Sequence, residues 1–119
     1  MKESKSVNTL IQILLSAIAV VVLANILPGI YVSGFLTAIV VAAVLILLNL
    51  FIKPLLIILT LPVTIFTFGL FLLVINALII LICDFLISGF RVDGFWYALL
   101  FSILLSILQS VLFALTKKR

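Results

Sequence analysis

Pro28-Gly29-Ile30-Tyr31-Val32-Ser33-Gly34-Phe35 returns sixty positions later as Ser88-Gly89-Phe90-Arg91-Val92-Asp93-Gly94-Phe95. In that register Gly29/Gly89, Val32/Val92, Gly34/Gly94, Phe35/Phe95 and Ala38/Ala98 are identical. Ser16-Ala17 falls on Asn76-Ala77, and Asn49 falls on Gln109. A phrase written twice reads as two copies of one structural unit. Each copy places a glycine-bearing turn between two apolar runs, so the unit is a helical hairpin.

Apolar residues make up 68% of the chain and charged residues 8%. A soluble domain carries roughly a quarter charged residues, so there is too little polar surface here to face water. The solvent is therefore lipid, and the backbone must close its hydrogen bonds inside helices. A spanning helix needs about twenty apolar residues, and the 119-residue chain has room for four. The net charge of +4 comes from basic residues at the ends of apolar runs, where they meet anionic head groups. No basic patch with interleaved aromatics points to nucleic acid. Cys83 is the single cysteine and lies in an apolar run, where a thiol acts as a small hydrophobe. With no histidine, no metal-ligand cluster and no base beside any serine, neither an enzyme nor a cofactor is indicated.

The apolar runs place spans at about residues 7–27, 35–52, 64 or 67–87, and 95–115. The predicted fold is all-α and membrane-embedded. Four transmembrane helices form two tandem parallel hairpin repeats, residues 1–53 and 64–119. Residues 54–63 join them as a proline-bounded apolar segment, interfacial or re-entrant. Lys53-Pro54 is expected to close the second span, because the residue before proline avoids the helical region. Ser33 and Asp93 are expected to cap the helices that follow them. Lys2, Lys5, Lys53, Lys117, Lys118 and Arg119 fall on one side of this arrangement and only Arg91 on the other. The positive-inside rule then puts both termini in the cytoplasm of a bacterial inner membrane. Tyr31, Trp96 and Tyr97 would lie at the outer interface. Lys2 and Lys5 ahead of an apolar core ending in Val22-Leu23-Ala24 also fit a cleavable signal. The matching segment in the second copy favours a retained helix.

Asn49, Lys53, Thr60, Thr64, Thr67, Asn76 and Gln109 are the polar residues of interest. They serve either as a pocket on the inner side or as interhelical hydrogen bonds, and the shared repeat position of Asn49 and Gln109 favours the latter. Ala98, Ser102, Ser106 and Ser110 recur every four residues, a small-residue stripe that lets helices approach closely. Asp84 and Arg91 are expected to form an ion pair near the outer surface.

The central block reads Asn49-x-x-x-Lys53-Pro54-Leu55, Leu59-Thr60-Leu61-Pro62-x-Thr64, Thr67-x-Gly69-Leu70-Phe71 and Asn76-Ala77. With the two glycine hairpins it resembles the small bacterial membrane proteins of phage holin family 4, superfamily IV type, from about Ala17 to Leu108. That resemblance implies an inner-membrane protein of unassigned molecular activity, self-associating as a homo-oligomer, affecting envelope integrity or permeability and linked in some members to envelope stress. It attaches no catalytic, cofactor or metal role to any residue. Two other readings are a small transporter or lipid-translocating protein using the inner polar pocket, and a structural partner of another membrane protein. The charge pattern carries its own test. In a Cys83→Ser background, Ser33→Cys and Asp93→Cys should both react with an impermeant thiol reagent in intact cells, and Thr116→Cys should not. Labelling of the two hairpins from opposite sides would refute parallel repeats.

Overall fold

In a computed structural model of the chain, the backbone is described for residues 2–117 and the side chains for residues 8–116. Six helices and two short strands follow in the order α1 (Lys2–Ile26), β1 (Ile30–Val32), α2 (Phe35–Leu47), a π-helical turn (Leu48–Ile52), α3 (Lys53–Leu59), α4 (Leu61–Phe66), α5 (Phe71–Leu86), β2 (Phe90–Val92) and α6 (Phe95–Lys117). Three stretches are long and apolar enough to cross a membrane: Asn8–Ile26, Phe35–Leu59 and Phe95–Thr116. Helix α5 is apolar but shorter, at 16 residues. The side chains of Lys2, Lys5, Lys117, Lys118 and Arg119, on which much of the expected orientation rests, lie outside the described residues.

The bundle packs as a ring. Helix α1 lies against α2 and α6, and α5 lies against α6 and α2. Small side chains set the close approaches: Ala17, Ala19, Ala38, Ala42, Ala77 and Ala98 are all buried. Between them Val20, Val41, Ile75 and Phe101 fill the centre, each fully buried. Phe90 meets Phe101 in a tilted ring contact with centroids 5.9 Å apart, a favourable geometry for aromatic quadrupoles, and so ties the second strand to α6.

The two hairpin turns lie at one end of the bundle and are joined there by backbone. Strands β1 and β2 pair antiparallel, with Ile30 opposite Val92, Tyr31 opposite Arg91 and Val32 opposite Phe90. Ser33 N–H donates to the Gly89 carbonyl at 2.8 Å, and Asp93 N–H donates to the Gly29 carbonyl at 2.8 Å. The two flanking bonds thus use matched positions of the two hairpins. Sequence reading expects tight turns here but not this ribbon between them. Glycine is required at both turns for different reasons. A Cβ on Gly29 would run into the ring of Tyr97. Gly89 has a left-handed φ of 91°, and a Cβ there would stand 2.6 Å from Ser33 Oγ.

Three expectations need correction. Helix α2 does not stop at Lys53-Pro54: it continues through the π turn and α3 to Leu59. Lys53 N–H reaches back to the Leu48 carbonyl, a five-residue step that widens the turn just before Pro54, which has no N–H to donate. The chain instead bends at Thr60 and again at residues 67–70, where Phe68 and Gly69 take left-handed φ values of 54° and 87°. Gly69 N–H closes the end of α4 onto the Thr64 carbonyl at 2.8 Å. The third apolar helix therefore begins at Phe71 and not at Thr64 or Thr67. Finally, Ser33 does not cap α2, whose N-cap is Gly34 with no side-chain bond; Ser33 Oγ lies 2.7 Å from Thr37 Oγ1. Asp93 Oδ1 faces Arg91 instead, 3.8 Å from its Nε.

The Gly29 contact gives a direct check. Gly29→Ala should lower stability by about 1–3 kcal/mol through overpacking against Tyr97. Gly34→Ala, with nothing within 4 Å of its added Cβ and an extended φ of 173°, should change it little. Unfolding of the two variants in detergent, followed by circular dichroism, measures the difference.

Candidate functional site

The polar side chains of the helices converge at the end of the bundle away from the ribbon. A cleft of about 70 Å³ is lined there by Asn49 and Lys53 from the α2 side, Asn76 from α5, and Ser102, Ser106 and Gln109 from α6. Leu45, Ile79 and Leu105 close its apolar floor. One water needs roughly 10–15 Å³ of such space, so the cleft admits a few waters or a small polar group.

Local structure explains how these residues meet. The four-residue spacing of Asn49 and Lys53 places both on one helix face, even across the wider π turn. Ser102, Ser106 and Gln109 share a face of α6 in the same way. Gln109 Nε2 donates to Ser16 Oγ on α1 at 2.7 Å, across 93 residues of sequence. Ser16 is 2% exposed, so this bond satisfies a hydroxyl that has no access to solvent. In the sixty-position sequence register Asn49 matches Gln109 and Asn76 matches Ser16. The amides of Asn49 and Asn76 have no hydrogen-bond partner among the described residues, and Asn49 is exposed. One half of the cleft is thus closed by a side-chain bond and the other half is open.

The expected pocket therefore holds Asn49, Lys53, Asn76 and Gln109 but not the three threonines. Thr60 Oγ1 donates to the Leu56 carbonyl at 2.7 Å, a back-bond that closes the end of α3. Thr67 Oγ1 donates to the Thr64 carbonyl at 3.1 Å and accepts from Phe71 N–H at 3.1 Å, so it serves the start of α5. Thr64 Oγ1 is buried without a partner. The small-residue stripe divides in two. Ala98 and Ser102 are buried within the bundle, with Ser102 Oγ bonded to the Leu99 carbonyl at 2.8 Å. Ser106 and Ser110 are exposed. Ser16 is the member that sequence reasoning missed, although its place opposite Asn76 in the repeat register marks it.

At the ribbon end the expected Asp84–Arg91 ion pair is replaced by two other contacts. Asp84 Oδ2 accepts from Val92 N–H at 3.0 Å, a carboxylate holding a strand amide. Arg91 pairs with Asp93 on the exposed surface, where such contacts contribute little. The shorter reach decides this: the strand amide lies against α5, whereas the Arg91 side chain is 72% exposed and turned to solvent. Among the described residues no group of three or more histidine, cysteine or acidic side chains could hold a metal ion.

The model of a protein family described as mycobacterial 4 TMS phage holin, superfamily IV, matches residues 7–111. The chain is 41% identical over 98 residues to the uncharacterized membrane protein YvlD of Bacillus subtilis (strain 168), covering 82% of each. It is 47% identical over 78 residues to the uncharacterized protein SCO3922 of Streptomyces coelicolor, covering 62% of each. No solved structure matches it.

The Gln109–Ser16 bond is measurable. Gln109→Leu should cost about 0.6–2 kcal/mol, the usual range for interhelical hydrogen bonds in a bilayer. A double-mutant cycle with Ser16→Ala should recover most of that as coupling. Asn49→Leu, which removes no bond, should be neutral or stabilising in the same unfolding assay.

Proposed function

The chain belongs to the mycobacterial 4 TMS phage holin family of superfamily IV, and on that premise we propose that it is a non-enzymatic plasma-membrane protein that self-associates and alters membrane permeability. The observation that carries the reading is the divided stripe of α6. Ala98 and Ser102 pack inside one copy, while Ser106 and Ser110 continue the same four-residue spacing onto an exposed face. Small side chains on an open helix face allow a second helix to approach closely, and such faces are where membrane helices associate. Only 22–28% of the residues in the most apolar part of each long helical stretch are buried within one copy, so most of them remain for lipid or another copy. Four helices with a cleft of a few waters enclose no pathway, so a change in permeability requires several copies.

The same reading covers architecture and orientation. The two hairpins are two copies of one unit, related by a pseudo-two-fold axis along the membrane normal. The paired Ser33–Gly89 and Asp93–Gly29 bonds support it, since shifting each residue by the repeat interchanges them. Both termini are cytoplasmic in this reading, and the ribbon faces outward. Residues 60–70, with Phe66 and Phe68 exposed at 84% and 97%, lie against the inner interface.

Reconstitution tests the proposal. In a Cys83→Ser background, Ser106→Cys and Ser110→Cys should crosslink between copies in liposomes, and the wild-type chain should release an entrapped dye. Ser106→Ile with Ser110→Ile should lower both crosslinked species and release severalfold, with secondary structure unchanged. Dye retention at all protein densities, together with a monomeric chain, would refute the reading.

A further inference from the structure

We propose that the cleft between α2, α5 and α6 binds a phosphate-bearing anion, with Lys53 supplying the charge and Asn49 and Asn76 supplying amide donors. Lys53 is half-buried on the cleft wall with no carboxylate near it among the described residues. Asp84 and Asp93 are the acidic side chains described, and both stand at the ribbon end, where they hold Val92 N–H and Arg91. A cation drawn in among apolar helices is costly, and with no described carboxylate beside it a bound anion would lower that cost. The neighbouring groups are of the right kind: the amides of Asn49 and Asn76 and the ammonium of Lys53 are donors without partners among the described residues. Ser106 and Gln109 complete the wall from the facing helix.

The difference between the two hairpins is what makes the site. At the positions matching Lys53-Pro54 the second hairpin has Phe113-Ala114, and α6 runs through them as regular helix. Its Gln109 commits one of its two amide N–H groups to Ser16, which ties that side chain to α1. In the first hairpin Pro54 forces the π turn, and the widened turn carries Asn49 and Lys53 on its two ends. A tetrahedral phosphate accepts from several directions, which fits donors arriving from different helices. The cleft is open at Asn49, which is exposed, so either a lipid head group or a dissolved phosphate has access.

The site does not depend on self-association and is read on single copies. The full chain, purified in detergent with equal phosphatidylglycerol and phosphatidylcholine, is examined by native mass spectrometry with and without inorganic phosphate. Phosphatidylglycerol should be retained over phosphatidylcholine if the phosphate is a lipid's. Protection of the chain against thermal unfolding by millimolar inorganic phosphate, without lipid preference, identifies a dissolved anion as the ligand. In either arm Lys53→Gln should weaken binding about tenfold, as expected for loss of one charge-assisted bond, and Lys53→Arg should restore most of it. Arg91→Gln at the other end should leave it unchanged. Should Lys53→Gln fail to fold, Asn49→Leu, at an exposed side chain without a partner, carries the same expectation. Equal retention of the two lipids with no effect of phosphate would overturn the site. So would equal losses in Lys53→Gln and Arg91→Gln, which mark general attraction of basic residues to anionic surfaces.

Discussion

In hydrocarbon each backbone amide and carbonyl must find its partner inside the protein, and this chain meets that demand in three ways. Long helices satisfy most of it. Where the helices stop at the hairpin end, the strands Ile30–Val32 and Phe90–Val92 satisfy one another. Among the described residues neither three-residue strand has another strand to pair with, so each hairpin depends on the other for its turn. The ribbon therefore fixes which ends of the helices lie together, and the ring order of α1, α2, α5 and α6 follows from it. Asp84, buried side chains such as Phe90 and the two glycine contacts all serve that junction.

At the far end the third way appears, and it is looser. Pro54 removes a donor in the middle of a helix, and the π turn absorbs the loss without ending the helix. Thr60 and Thr67 return hydroxyls to carbonyls where the chain bends. The polar groups left over collect in the cleft. Rigidity at the ribbon and spare hydrogen-bonding capacity at the opposite end are thus two results of one requirement.

Much of this was legible in the residues. Composition alone identifies the solvent as lipid, and the Asn8–Ile26 and Phe95–Thr116 spans lie where the apolar runs put them. The register that matches Ser16 with Asn76 and Asn49 with Gln109 also marks three residues of the cleft and the hydroxyl that holds one of them. Sequence reading fails where local rules compete with tertiary ones. Lys53-Pro54 looks like a helix end because a proline usually is one, and only the five-residue step from Lys53 N–H to Leu48 shows how the helix survives. The Asp84–Arg91 pair is reasonable by charge and spacing, yet a strand amide lies closer to the carboxylate than the arginine does. The three threonines have the composition of a pocket and the hydrogen bonds of turns.

The unequal lengths of neighbouring helices have a mechanical consequence for the surrounding lipid. The continuous helix from Phe35 to Leu59 has 25 residues, about 37 Å, and α5 beside it has 16, about 24 Å. A hydrocarbon layer about 30 Å thick is too thin for the first and too thick for the second. The bundle therefore presents an apolar collar of uneven height. Lipid beside α5 must compress, or the bent segment carrying Phe66 and Phe68 must sink to make up the difference. Either adjustment costs a fraction of a kcal/mol per Å of mismatch, and the cost falls when two such thin sectors share one deformed patch of bilayer.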